Sequence, residues 1–292
     1  MTYIFSTFGV MCQLFILIPE ERMYPELAPY GTAILLAFVF IYLLYFSMVV
    51  WQQQTKRLLF RQGFSYKKLS DTHRAFLNKE FRFYQALSPK YQRQFEHRVA
   101  RFSQDKKFIG REGFQVGDKH RLLISAVACM LSFGRRSYLL PYLETILIYP
   151  EAFSSKQNEN LHKGEYNPAL GVLVLSWADF ENGYRIEDDN FNLGLHEFMH
   201  VLHVESTKSG NADAHRFSYY FNKISQLLIN EDLKKALMES KFFREYGFTN
   251  QYELMAVMGE YYFESHQDFK QRFPNLHQDF THLLNYKTEW LA

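Results

Sequence analysis

The chain has 292 residues, 47% of them apolar and 22% charged, which is enough to bury a large core and still carry an accessory segment. Its 33 basic and 31 acidic side chains are spread along the whole length for a net charge of +2, which excludes the one-sided basic footprint of a direct nucleic-acid binder. The two cysteines, Cys12 and Cys129, lie far apart in apolar runs, so no disulfide framework is expected and any metal must be held by histidine and carboxylate ligands.

The first apolar run, Tyr3 to Ile18, is interrupted by Ser6, Thr7 and Gln13 and stopped by Pro19 and an acidic pair. It lacks the positive start and small-residue cleavage site of a secretory signal and reads instead as a first membrane span, forming a short hairpin with a second. That second run, Ala33 to Trp51, carries no charge and as a helix would cover about 28 Å, near the hydrocarbon thickness of a bilayer. A buried core helix would keep a polar stripe, and this run offers only Ser47. One or two transmembrane helices (33–51, with 3–18 as the other) are therefore expected in an anchoring region, residues 1–62. Lys56, Arg57 and Arg61 follow the second run while Glu20, Glu21 and Glu26 precede it, which places the remaining domain, residues 63–292, on the cytoplasmic side of an inner or plasma membrane.

Beyond residue 62 the hydropathy falls and apolar residues recur at intervals of three and four, as in FLNKEFRFYQALSPKYQRQFEHRVARFSQ, which predicts core-facing helices. Leu122 to Phe133 is apolar but too short to span and is flanked by Arg121, Arg135 and Arg136, so it reads as a buried helix. TILIYP at 145–150 and GVLVLSW at 171–177 read as strands separated by a polar, turn-forming segment. The expected class is α+β: one mainly helical domain with a small β-sheet, without repeats.

Residues 190–203, NFNLGLHEFMHVLH, carry the chemistry. His196 and His200 are four apart and share a helix face, so two imidazoles can meet one Zn²⁺, while Glu197 beside the first can take a proton from an attacking water. Asn190 is the expected N-cap of that helix, with Asp188 and Asp189 near its positive end. Histidines at helical spacing on a surface or in a core are the bland alternative. A catalytic zinc site needs a third protein ligand, and Glu253 in the predicted helix NQYELMAVMGEYYF is the candidate, with Val257 and Glu260 on its face. Asn250 followed three residues later by Glu253 is also a capping-box pattern, and spacing alone leaves both roles open.

These blocks resemble the zinc-dependent peptidase family typified by Mlc titration factor A, over roughly residues 75–285. The resemblance is carried by YQALSPKYQRQFEHRVARF, ETILIYPEAF, GVLVLSWADFENG, NLGLHEFMHVLH and YELMAVMGEYYFE, in the family's order. It implies a zincin-like metallopeptidase domain with one Zn²⁺ on His196, His200 and Glu253, Glu197 as general base, and Tyr246 as a hydrogen-bond donor to the oxyanion. It also implies a peptide or protein substrate, and it raises a second reading in which the fold sequesters a transcriptional regulator. A third reading, a membrane scaffold with structural histidines, owes nothing to the resemblance. His203 stands where relatives usually have Asp, which exchanges a carboxylate near the metal for an imidazole; a further ligand role for it is less expected, because an i+3 neighbour need not point at the metal. Glu260 is expected either to support a ligand or to form a buried ion pair, and Val172 to Trp177 is expected to be the edge strand that receives an extended substrate.

Overall fold

The computed structural model describes residues 28–55, 67–154, 161–186 and 188–292, and within the first segment the side chains of 33–34 and 36–47. The chain divides into two compact units, 1–54 and 55–292. Helix α1 (Ala28–Thr55) runs through the first and exposes apolar side chains such as Ile34, Leu36 and Phe38. Among the described residues, however, no helix is long and apolar enough to cross a membrane. The expected transmembrane anchor, the membrane location and the cytoplasmic orientation are corrected accordingly. The run 3–18 and the basic residues Lys56, Arg57 and Arg61 lie outside the described residues.

The second unit is mainly helical. Its helices are α2 (Asp71–Glu80), α3 (Arg82–Ala86), α4 (Pro89–Asp105), α5 (Asp118–Leu131), α6 (Trp177–Arg185), α7 (Leu193–Lys208), α8 (Ala212–Ile229), α9 (Glu231–Glu239), α10 (Gln251–Glu264), α11 (His266–Arg272) and α12 (Pro274–Leu284). Local chemistry fixes several starts. Ser70 accepts a hydrogen bond from His73 N at the head of α2, and Pro89 opens α4 where its missing N–H costs nothing. The apolar run at 122–133 folds as expected: α5 buries Leu122 through Cys129 between its neighbours.

The strands are β1 (Lys107–Gly110), β2 (Thr145–Tyr149), β3 (Phe153–Ser154), β4 (Leu161–His162), β5 (Gly164–Asn167) and β6 (Val172–Ser176). Four of them form a mixed sheet in the order β1-β2-β6-β5, parallel except for the antiparallel β5–β6 pair. Alternation sets its faces: Ile146 and Ile148 on β2, with Leu173 and Leu175 on β6, point into the core and are fully buried. The α+β class therefore holds, with a sheet larger than the two strands legible beforehand. One placement is corrected. The segment 172–176 is an inner strand, hydrogen-bonded on both sides, and β5 forms the end of the sheet nearest α7 among the described residues.

Helices α7 and α10 pack closely because of Gly259. A Cβ there would stand 2.8 Å from Met199 Cγ, so glycine permits an approach that brings Glu253 over the face of α7. Leu195, Phe198, Met199, Val201 and Leu202 are the buried apolar side chains of α7. Each side chain of this size contributes roughly 1.5–3 kcal/mol on burial, which anchors the helix that carries both histidines.

Candidate metal centre

α7 begins at Asn192, whose side-chain oxygen accepts from Leu195 N. The expected cap, Asn190, sits two residues earlier with φ +58 and receives a hydrogen bond from Ser265 Oγ. Asn192 also ties the helix start to its neighbours: its side-chain amide donates to Gly183 O and Glu264 Oε1, and its backbone N–H donates to Glu260 Oε2 at 2.7 Å.

From that start, His196 and His200 emerge on one face with their ring centroids 5.0 Å apart. Glu253, in the first turn of α10, comes to meet them. Its carboxylate lies 3.0 Å from His196 Nε2 and 3.7 Å from His200 Nε2, and the ligand atoms of all three residues fall within 4.8 Å of one another. Donors about 2.0–2.2 Å from a tetrahedral zinc are roughly 3.3–3.6 Å apart, so this set fits the ion with little adjustment. Among the described residues it is the one such cluster. Asn250 does cap α10, accepting from Tyr252 N and Glu253 N, so half of the capping-box pattern is present while the Glu253 carboxylate faces the histidines.

The surrounding groups prepare His196. Its Nδ1 lies 2.9 Å from Glu260 Oε1, a carboxylate that accepts the Nδ1 proton, so Nε2, which faces Glu253 Oε2 at 3.0 Å, is the nitrogen turned toward the cluster. Glu260, 1% exposed, is a buried carboxylate with three donors: His196, Arg244 and the backbone N–H of Asn192. Both expected roles for Glu260 therefore coexist. Burial disfavours the charged form of His196, but the bonds to Glu253 and Glu260 outweigh it and raise its pKa. Burial likewise acts against the Glu253 carboxylate, yet its contacts with the two histidines hold it below the usual range.

Glu197 is buried, and burial pushes its carboxyl up against the opposing pull of His196 and His200. It packs on β5, where a Cβ at position 164 would stand 2.5 Å from Glu197 Oε1 and 2.6 Å from its Cγ. Gly164→Ala should therefore turn the carboxylate away while leaving the three-residue cluster intact. If the centre binds metal and turns over peptides, the expected result is retained metal with turnover reduced by about tenfold or more, read by metal analysis beside steady-state rates. Unchanged turnover would show that the Gly164 contact does not set the position of Glu197.

Tyr246 sits in a short 3-10 turn, Glu245–Phe248, with its ring 6.0 Å from that of His196. Burial, followed by the charge of Glu253, pushes its hydroxyl up to about 12, so it remains a proton donor at neutral pH. His203 points elsewhere: it packs against Phe221 and Tyr252 at 4.4 and 4.8 Å, its Nδ1 is buried with no hydrogen-bond partner among the described residues, and burial lowers it to about 4. Two clefts meet at the cluster. One, of about 330 Å³, is lined by His196, Glu197, Tyr246 and Gly164; the other, of about 430 Å³, by His200, Glu253, His203 and Tyr166. β5 contributes to both.

Two participants were missed in the sequence. Asn192 carried a signal, an asparagine one residue before the apolar helix, which the earlier Asn190, directly after the pair Asp188–Asp189, obscured. Arg244 carried none. It reaches Glu260 from a loop and stacks 4.1 Å above the Phe191 ring, a contact between distant segments.

A mainly helical domain with a small mixed sheet, and a His-Glu-x-x-His helix facing a carboxylate from a second helix, defines a metallopeptidase-like fold. The chain belongs to the glucose-regulated metallo-peptidase M90 family, whose model matches residues 51–285. It is 31% identical over 222 residues to the uncharacterized protein slr2042 of Synechocystis sp., covering 70% of this chain and 80% of that one. It is also 24% identical over 212 residues to Mlc titration factor A of Klebsiella pneumoniae (67% and 79% covered) and 23% identical over 204 residues to that of Escherichia coli (62% and 73%).

Proposed function

We propose that the chain is a zinc-dependent peptidase in which His196, His200 and Glu253 hold the metal. The observation that carries this reading is the convergence of the three ligand atoms within 4.8 Å beside a buried carboxylate, Glu197, that is not one of them. Zinc bound there would supply a Lewis acid for the scissile carbonyl and ease the ionisation of water. Glu197 takes a proton from the attacking water and returns it to the leaving amine. Tyr246 donates its hydroxyl to the carbonyl oxygen as negative charge develops on it. Glu260, itself held by Arg244 and the Asn192 amide, keeps His196 in the required tautomer.

The substrate is a peptide in extended form. β5 offers backbone groups at the end of the sheet, and its residues Gly164 and Tyr166 line the two clefts on either side of the cluster. Tyr246→Phe is expected to lower kcat by roughly 10–10²-fold with little change in KM, because the hydroxyl acts chiefly in the transition state. A change confined to KM would reassign Tyr246 to substrate binding. The reading as a whole is tested by incubating the full-length chain with a peptide mixture and identifying new termini by mass spectrometry, with Glu197→Gln as the control.

A second reading rests on the relatives named Mlc titration factor A: the domain binds and sequesters a transcriptional regulator. Peptide cleavage separates the two readings, since sequestration alone needs neither Glu197 nor turnover.

A further inference from the structure

A separate cavity of about 330 Å³ lies at the start of α7, where Asn192 and Leu195 line it, and none of His196, Glu197, His200 or Glu253 does. Its walls are aromatic: Phe81, Phe83, Tyr184, Tyr262, Phe263 and Tyr286. Its single acidic side chain is Glu264, at the end of α10. Glu264 Oε1 accepts from Asn192 Nδ2 at 2.9 Å, while Oε2 is buried with no hydrogen-bond partner among the described residues. A buried carboxylate oxygen without a donor costs roughly 1–3 kcal/mol or more, so its retention in an apolar wall calls for a reason.

Neither basic group of the cavity pairs with Oε2. Arg82 is exposed, and His266 is occupied by Tyr262 O, to which its Nδ1 lies at 3.1 Å, with burial lowering its pKa. Burial also pushes Glu264 up to about 8, against hydrogen bonds from the Asn192 side chain and the Asn190 backbone, so near neutral pH it is mostly the neutral acid in the empty cavity and gives up that proton when it pairs with a cation. What would complete the site is a cation carrying an N–H donor and an apolar body. The ammonium group would pair with Oε2 while the aromatic faces favour its charge and cover its hydrocarbon part.

We propose that this cavity is a binding site for an organic ammonium ion with an apolar or aromatic body, distinct from the metal centre. Its acidic anchor, Glu264, shares Asn192 with Glu260 and hence with His196, so an occupant would sit at the far end of a hydrogen-bonded chain that reaches the metal centre.

The test uses the full-length chain, 2-phenylethylamine as probe and 2-phenylethanol as its uncharged counterpart, with binding measured by calorimetry near neutral pH. The amine should bind about tenfold or more tightly than the alcohol, as expected for a hydrogen bond to a charged group. Glu264→Gln should reduce that preference to about twofold or less. Ala86→Trp, an exposed position on the cavity wall, should obstruct both probes without disturbing the core, and it carries the test should Glu264→Gln fail to fold. Equal affinity for the two probes, no binding of either, or amine binding that survives these substitutions would overturn the proposal. Peptidase activity plays no part in the readout, so failure here is distinguishable from failure of the metal site.

Discussion

Glu197→Gln is expected to keep a full complement of zinc and to lose peptide hydrolysis by roughly 10²–10⁴-fold, the range a positioned general base supplies. The substitution preserves the shape of a buried side chain that packs against Gly164, and it leaves the His196, His200 and Glu253 ligand atoms in place. What it removes is the ability to hold a proton between attack and departure of the amine. Metal analysis and kcat/KM on the same preparation check both halves. Wild-type turnover in the variant would remove Glu197 from the base role, and loss of metal would mean that this carboxylate supports the cluster directly.

Glu253→Ala is expected to lower bound zinc below about a tenth of an equivalent after zinc-replete purification, and to abolish hydrolysis with it. The same variant decides between the two meanings of the Asn250–Glu253 pattern. Were Glu253 chiefly a capping residue, its loss would cost about 0.5–2 kcal/mol of stability and leave metal content unchanged. The cap of α10 is already supplied by the Asn250 side chain, which accepts from Tyr252 N and Glu253 N, so the metal-free variant should melt close to metal-free wild type. Retained zinc with a lowered melting temperature is the outcome that would return Glu253 to a structural role.

The parts of the centre that were legible in the sequence are those fixed by local periodicity. Four-residue spacing puts His196 and His200 on one helix face wherever that helix lies, and a run such as TILIY alternates into a sheet because burial selects every second residue. The companions of these residues were less accessible because long-range packing sets them. Glu253 meets the histidines only because Gly259 lets α10 approach α7, and Arg244 reaches Glu260 from a loop that has no periodic signal. The edge strand was misassigned for a related reason. The most strongly hydrophobic strand, β6, is hydrophobic because it is central, whereas the true end strand, Gly164–Asn167, is short and polar in its sequence. Hydropathy likewise predicted a span at 33–51, but among the described residues no helix is long and apolar enough to cross a membrane.

We propose that this centre hydrolyses peptides with a metal held by His196, His200 and Glu253. It is tested most directly by following peptide cleavage by the full-length chain as isolated, after removal of metal by a chelator, and after return of stoichiometric Zn²⁺. Cleavage should disappear on chelation and return as the chain takes up one Zn²⁺. Cleavage that persists in the metal-free chain, or a zinc-loaded chain that cleaves nothing in a diverse peptide mixture, would contradict it.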